Sequence, residues 1–177
     1  MSDLTSKRGI PSMEVVEDVE SWLTKEKMSV EEAVKIMDEK YKKYKYIENS
    51  MRQQKHRLDE KIPEFQNSLG ILSVLEQKKE KGEPFETTFL LAEEVYSKAK
   101  VTNPEKVGIW LGANVMVEYE LEKAREILEK NKNTVDSQIS ELTVELDYVK
   151  DQITTTEVNI AHIYNYGIRK RQEAASA

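Results

Sequence analysis

The side chains able to do acid–base or metal chemistry in this sequence are two histidines, His56 and His162, and 33 carboxylates. The chain has no cysteine, which excludes thiol nucleophiles, zinc–thiolate sites and disulfides. The carboxylates fall on the polar positions of helical stretches, where ion pairing is their expected use. No glycine-rich phosphate loop accompanies them. The sequence therefore predicts a protein that is not an enzyme and that holds no metal or cofactor.

One segment, from Lys40 to Tyr46, alternates basic and aromatic residues and so resembles a single-stranded nucleic-acid surface. Tyr41 and Tyr44 also fall on an apolar helical stripe, with the lysine stems covering it, which favours a helix seam. A net charge of -6 at pH 7 argues in the same direction. We therefore expect no nucleic-acid partner.

The sequence gives no sign of a membrane segment. It lacks any run of about 18 apolar residues, and its N-terminal stretch lacks the apolar core of a signal peptide. We expect a cytoplasmic protein without a membrane partner, and nuclear roles stay open.

Two helices are predicted before the middle of the chain. A short amphipathic helix occupies residues 12–23. A long helix begins at Ser29, where Ser29 and Glu32 form a capping box, and runs to about Lys81, with Gly82 as its C-terminal cap residue. Residues 1–11, which precede both helices, are expected to form a flexible arm.

The long helix carries an apolar stripe whose steps alternate between three and four residues, the heptad pattern of a coiled coil. Glu48 and Lys55 interrupt one of its two lines. Pro63 removes a backbone hydrogen bond, so a kink is expected near Asp59–Pro63. The stripe consists of Val34, Met37, Tyr41, Tyr44, Glu48, Met51, Lys55, Leu58, Ile62, Phe65, Leu69 and Leu72.

The middle of the chain, residues 83–118, changes to the period of two that is typical of half-buried strands. Gly112, Ala113 and Asn114 suit a tight turn, and another turn is expected near Ala92. Two consecutive β-hairpins are predicted, with a faint likeness between Phe89–Ala92 and Trp110–Ala113. The candidate strands are Phe85–Leu91, Val95–Val101, Val107–Leu111 and Val115–Tyr119.

Residues 119–171 return to a helical period, and residues 172–177 are expected to form a flexible tail. Because an apolar stripe is useful only when buried, the two long helices are expected to pair as an antiparallel coiled coil. The fold class is therefore mainly α, one domain over residues 12–171 with helices at 12–82 and two β-hairpins at 83–118. This pairing brings Val30–Met37 close to Thr156–Ile168, with the short helix beside them.

Several segments resemble the α-class subunits of the prefoldin family. They are KRGIP, YKKYKYIE, FLLAEEVYSKAKV, VGIWLGANVMVEYELEKAREILEKN and DQITTTEVNIAHIYN, and the resemblance covers about Lys7 to Arg171. It implies a subunit of a hexamer with two α-class and four β-class subunits, whose hairpins join in a β-barrel that carries six coiled coils. It also implies that the coiled-coil tips hold unfolded polypeptides such as actin and tubulin and deliver them to the cytosolic chaperonin without a nucleotide. Gly167 is the expected departure, since it can fray the last helical turn.

Apolar residues at the far end of the predicted coiled coil exceed what a two-helix seam can bury. Either they form an exposed tip that binds unfolded clients, or the short N-terminal helix packs back over them. The two interpretations are compatible if that helix opens. The candidate client-binding residues are Val15, Val16, Val19, Trp22, Leu23, Val30, Ile160, Ile163, Tyr164 and Ile168.

The hairpins carry the assembly hypothesis, because two isolated hairpins leave strand edges open that a barrel would close. The alternative function is a coiled-coil scaffold or adaptor that links fixed protein partners, although a plain scaffold needs only a rod. The expected subunit interface is Phe89, Leu91, Val95, Val107, Ile109, Trp110, Leu111, Val115 and Val117.

Overall fold

The computed structural model describes residues 6, 8–102 and 104–176. The protein is mainly helical, with two small hairpins in the middle of the chain. In order, the elements are α1 (Val19–Glu26), α2 (Val30–Asp59), α3 (Ile62–Lys81), β1 (Phe85–Ala92), β2 (Val95–Val101), β3 (Lys106–Gly112), β4 (Val115–Glu120) and α4 (Leu121–Ser176).

The first helix is shorter than the sequence predicts and starts later. Residues 12–18, expected to be helical, run without regular secondary structure up to Asp18, whose backbone is extended and whose side chain accepts a hydrogen bond from the Ser21 N–H. The reason is that main-chain groups between Met13 and Val16 bind side chains of α4 instead of forming helical hydrogen bonds. We call residues 8–18 the strap.

The long helix predicted from Ser29 begins and ends where expected, but it is divided into two helices where only a kink was predicted. The Ser29 hydroxyl and Glu32 carboxylate form the capping box, and Gly82 ends the helix with a positive φ of 63°. At the predicted kink the helix stops at Asp59 and restarts at Ile62, which places Pro63 in the first turn of α3, where its missing N–H costs nothing.

Both hairpins form where the sequence predicts them. β1 pairs with β2 and β3 with β4, each antiparallel, and each ladder has a register shift before the turn. The shifts fall between Leu90 and Ala92 and between Trp110 and Gly112. Trp110 therefore corresponds to Leu90, one residue away from the Phe89 with which the sequence likeness aligned it. Ala113 and Asn114 both have positive φ, as the central residues of a type I′ turn require.

The last helix is longer than predicted. It continues through Gly167 without fraying, and the predicted flexible tail is helical as far as Ser176, while Ala177 lies outside the described residues. Gly167 is buried because Val30 of α2 packs against it. A Cβ at position 167 would lie 2.7 Å from the Val30 Cγ1, so only glycine permits this approach.

The described residues form two compact units, one from within 1–57 and 139–177 and one from within 58–138. In the first, α1, α2, α4 and the strap bury one apolar cluster. In the second, Leu72, Leu75, Leu121 and Ala124 form another cluster, covered by hairpin side chains. Helix α4 contributes residues to both units. The single domain over residues 12–171 stays a prediction.

Along the described residues, no helix combines the length and the apolar character needed to cross a membrane.

Substituting the two helical glycines is expected to change stability in opposite directions. Gly167→Ala forces its methyl group against the stiff β-branched side chain of Val30 and should lower the free energy of unfolding by about 1 kcal/mol or more. Gly70→Ala, with open space around it in α3, should raise that free energy by about 1 kcal/mol. Urea denaturation measures both, and Val30→Ala should rescue the Gly167→Ala variant. Equal effects at the two glycines would contradict the close contact.

Candidate functional site

The strap is held on α4 mainly through its main chain. The Asn159 amide binds two strap groups at once: its Oδ1 accepts from the Val16 N–H at 2.8 Å and its Nδ2 donates to the Glu14 carbonyl at 2.8 Å. The Met13 N–H donates to the Gln152 Oε1 at 2.6 Å. The His162 Nδ1 lies 3.2 Å from the Val16 carbonyl, and since a carbonyl only accepts, this nitrogen is the donor. These side chains recognise backbone rather than sequence.

Two tyrosines bind the beginning of the strap. Tyr44 of α2 donates its hydroxyl proton to the Pro11 carbonyl at 2.9 Å, and Tyr148 of α4 donates to the Ile10 carbonyl at 3.3 Å. Burial raises the pKa of the Tyr44 hydroxyl, and the neighbouring Tyr148 adds to the rise. Ile10 and Pro11, which the sequence analysis assigns to a flexible arm, thus make defined contacts with α2 and α4, while residues 1–5 and 7 lie outside the described part.

Ser6 continues the same contact along α4. Its hydroxyl donates to the Glu145 Oε2 at 2.9 Å and its oxygen accepts from the N–H groups of Arg8 and Ile10. Ser6 and the strap together meet α4 over more than four helical turns, from Glu145 to His162.

Three polar α4 residues that bind Ser6 or the strap recur every seven residues, and they are absent from the sites predicted from the sequence. Glu145, Gln152 and Asn159 are all buried, and Tyr166 follows at the same spacing. They lie one position before the apolar residues Leu146, Ile153 and Ile160, which also recur every seven residues. A seven-residue repeat of polar residues beside an apolar stripe is the signal that predicts a second contact face on this helix.

The apolar cluster beneath the strap, which we call the strap cluster, joins three helices. Its buried members are Val16, Val19, Leu23, Ala33, Met37 and Ile163, and its partly buried members are Met13, Trp22, Val30, Val34, Ile160 and Tyr166. Because strap and α1 residues belong to this cluster, the packed-back arrangement, one of the two that the sequence allows, is the one in this structure.

Hydrogen bonds from Ser21 lower the pKa of the Asp18 carboxyl that caps α1.

The predicted client-binding residues accordingly differ in their exposure. Val15 and Tyr164 are exposed at 52% and 56%. Trp22, Val30, Ile160 and Ile168 are half-buried. Val16, Val19, Leu23 and Ile163 are buried in the strap cluster, so they have no access to a client while the strap is in place.

Glu48 and the basic–aromatic run are both used in packing. Glu48, which interrupts the predicted seam, is buried and binds Lys45 and Arg52 of its own helix at 2.7 and 2.6 Å. These hydrogen bonds lower the pKa of its carboxyl. In the run, Tyr44 is buried and Tyr41 half-buried while the lysines are exposed, which supports the seam interpretation.

The hairpins present a second candidate surface. Among the predicted interface residues, Phe89, Leu91, Val95, Trp110, Leu111 and Val115 are exposed, whereas Val107, Ile109 and Val117 are half-buried. Val107 and Ile109 pack on the cluster of the second unit. The prediction omitted Leu90, Tyr96, Val101 and Met116, which are also exposed. The cross-strand pairs Leu90–Tyr96 and Trp110–Met116 occupy matching places just before the two register shifts.

An ion pair fixes the helices beneath the hairpins. Arg125 of α4 binds Glu76 of α3 through two hydrogen bonds of 3.0 and 2.6 Å and also donates to the Ser73 hydroxyl. Arg125 lowers the pKa of the Glu76 carboxyl. A bidentate pair of this kind orients both helices in addition to stabilising them.

No group of three or more His, Asp or Glu side chains able to hold a metal ion is found within the described residues. His162 serves the strap instead. The arrangement is suited to packing and to binding polypeptide main chain.

Residues 44–166, from the middle of α2 through most of α4, match the family described as Prefoldin: Prefoldin subunit. The chain belongs to the prefoldin family of chaperone subunits. Subunits of this family are co-chaperones rather than enzymes, and membership implies assembly with other prefoldin subunits.

Within this family the chain is similar to prefoldin subunit 3 of several organisms. It is 61% identical over 173 residues to the probable prefoldin subunit 3 of Caenorhabditis elegans, covering 98% of this chain and 94% of the relative. It is 43% identical over 166 residues to prefoldin subunit 3 of Homo sapiens, covering 93% and 84%. The cryo-EM structure of filamentous PFD from Methanocaldococcus jannaschii is similar with a TM-score of 0.45 and 24% identity, covering 77% of this chain and 96% of that one.

Removing the Asn159 amide is expected to release the strap. Asn159→Ala leaves the Val16 N–H and the Glu14 carbonyl without their partners, which costs about 1–3 kcal/mol. Hydrogen exchange measures the result residue by residue, and the Val16 amide should exchange roughly ten times faster or more. Asn133→Ala, at an exposed position of α4, is the matched control. Unchanged exchange at Val16 would show that the strap does not depend on this amide.

Proposed function

We propose that this chain is a non-enzymatic co-chaperone subunit of a heterohexamer of two α-class and four β-class prefoldin subunits. The assembled complex holds unfolded polypeptides, including actin and tubulin, without using a nucleotide. It then delivers them to the cytosolic chaperonin. The proposal places the chain in the cytoplasm, where these partners meet.

The observation that carries the assembly part is the exposure of large apolar side chains on both hairpins. Tyr96 is 68% exposed, Leu91 64% and Met116 62%, on sheets that have two strands each within the described residues. Such hairpins are marginal alone, and their outer strand edges invite pairing. Neighbouring subunits that complete a β-barrel would cover the apolar side chains and close the edges together.

The helices supply the second part of the proposal. We assign α2 and α3 to one arm of an antiparallel two-helix coiled coil and α4 to the other arm. The Arg125–Glu76 pair and the packing of Ala33 and Met37 with Ile163 support this pairing locally. The strap cluster supplies the apolar surface with which such an arm would hold a client.

The hairpin surface is tested by charge substitution at exposed positions. Leu90→Lys combined with Trp110→Lys should leave the chain folded, because both side chains are exposed, and should lower co-assembly with β-class subunits by about tenfold or more. Analytical ultracentrifugation of the mixed subunits measures the hexamer fraction. Ile71→Lys, an equally exposed apolar position on α3, is the control. Normal hexamers from the double variant would remove the hairpins from the interface.

The chaperone activity is tested with the reconstituted hexamer. Guanidinium-denatured actin is diluted into buffer without nucleotide, and light scattering follows its aggregation. We expect suppression at near-stoichiometric hexamer and, after addition of the chaperonin, transfer of labelled actin to it on native gels. A hexamer that fails to suppress aggregation but binds one folded protein tightly would favour the adaptor function instead.

A further inference from the structure

We propose that the groove between α2 and α4 is a binding site for an extended stretch of unfolded polypeptide, and that the strap is its built-in occupant. A client segment would bind by replacing the strap. This inference rests on the proposed holding function and specifies where and how the client backbone is recognised.

The groove already binds an extended polypeptide through groups that every polypeptide has. Asn159, Gln152 and His162 contact the N–H and carbonyl groups of Met13, Glu14 and Val16. Main-chain donors and acceptors do not vary with sequence, apart from the missing N–H of proline. Polar side chains placed this way can therefore recognise unrelated unfolded chains.

The site also has an apolar half. Val16 of the strap is buried among Ala33, Met37 and Ile163, and Met13 of the strap packs against the same cluster. Aliphatic and methionine side chains of this kind adapt to apolar groups of different shape. A client stretch with two apolar residues near the corresponding positions would bury a similar area, so the groove demands apolar character but no particular residue.

The polar contacts at the C-terminal end of the strap are exposed and easily exchanged. The α1 helix that follows it has eight residues, a length that is marginal for an isolated helix. Its Asp18 cap is exposed, and so are both partners of the Glu20–Lys170 ion pair at 3.1 Å. Exposed pairs of this kind contribute little to stability. Opening the strap would uncover Met37 and Ile163 and leave Asn159 ready to bind another main chain.

Two variants break the same hydrogen bond from its opposite sides and separate this proposal from a purely structural role. Val16→Pro removes the N–H of the strap and leaves the groove intact, so the assembled complex should bind an unfolded probe about tenfold more tightly or better. Asn159→Ala also loosens the strap but deletes the group that would bind the client. Its affinity should stay at or below that of the wild-type complex.

The probe is fluorescent, reduced and carboxymethylated α-lactalbumin, and its anisotropy gives the affinity of each assembled hexamer. Equal changes in the two variants would overturn the proposal, because a merely structural strap makes no distinction between them. If no complex binds the probe, Val16→Pro included, the proposed holding function itself is wrong. Binding by the wild-type complex with equal changes leaves that function standing and rejects only this groove.

A reversible lock supplies an independent test. Because the chain has no cysteine, Glu20→Cys and Lys170→Cys introduce its only two thiols, at positions whose native side chains lie 3.1 Å apart. A bismaleimide that contains a disulfide joins them before assembly. The locked complex should lose most of its probe binding, at least about fivefold, and regain it after reduction. Undiminished binding in the locked state would show that clients do not use the groove.

Discussion

A shortage of apolar side chains is the constraint on which the rest of this structure depends. With 38% hydrophobic and 34% charged residues, the helices cannot build a thick core on their own. Each apolar cluster is therefore completed by a segment outside the long helices. The strap and α1 cover the cluster of the first unit, and Phe85, Val107, Ile109 and Tyr119 of the hairpins cover that of the second. The segments that cover the two clusters also have roles in the proposed function. The strap and α1 lie at the proposed client site, and the hairpins bear the proposed subunit interface.

Covering a helix with an extended segment creates a polar problem, because extended backbone has no hydrogen bonds of its own. The structure solves it with buried side chains on α4, and every buried side-chain nitrogen or oxygen in the described part has a partner. Asn159 is completely buried and satisfies two main-chain groups at once. An amide suits this position because it donates and accepts on neighbouring atoms, as a peptide group does.

Local signals explain which parts of the fold follow from the sequence. The capping box at Ser29, the cap at Gly82, the break at Pro63 and the turn at Ala113 each depend on residues within a few positions of one another, and each is present. The strap depends on contacts such as Val16 with Asn159, 143 residues apart. The apolar residues of the strap are spaced as in a helix, although the strap is extended. Periodicity alone therefore led to the wrong prediction of a helix over residues 12–18. The polar residues at Gln152 and Asn159 were the missing evidence.

The way the strap is held also sets which sequences can occupy it. Asn159 and Gln152 need the N–H groups of Val16 and Met13, so proline is excluded at those two positions while many side chains are acceptable. At Pro11 only the carbonyl is used, as acceptor for the Tyr44 hydroxyl, so proline is tolerated there. Its ring also restricts the backbone at the start of the strap. The strap is therefore constrained mainly by the hydrogen bonds that its backbone makes, and its side chains outside the strap cluster can vary without disturbing them.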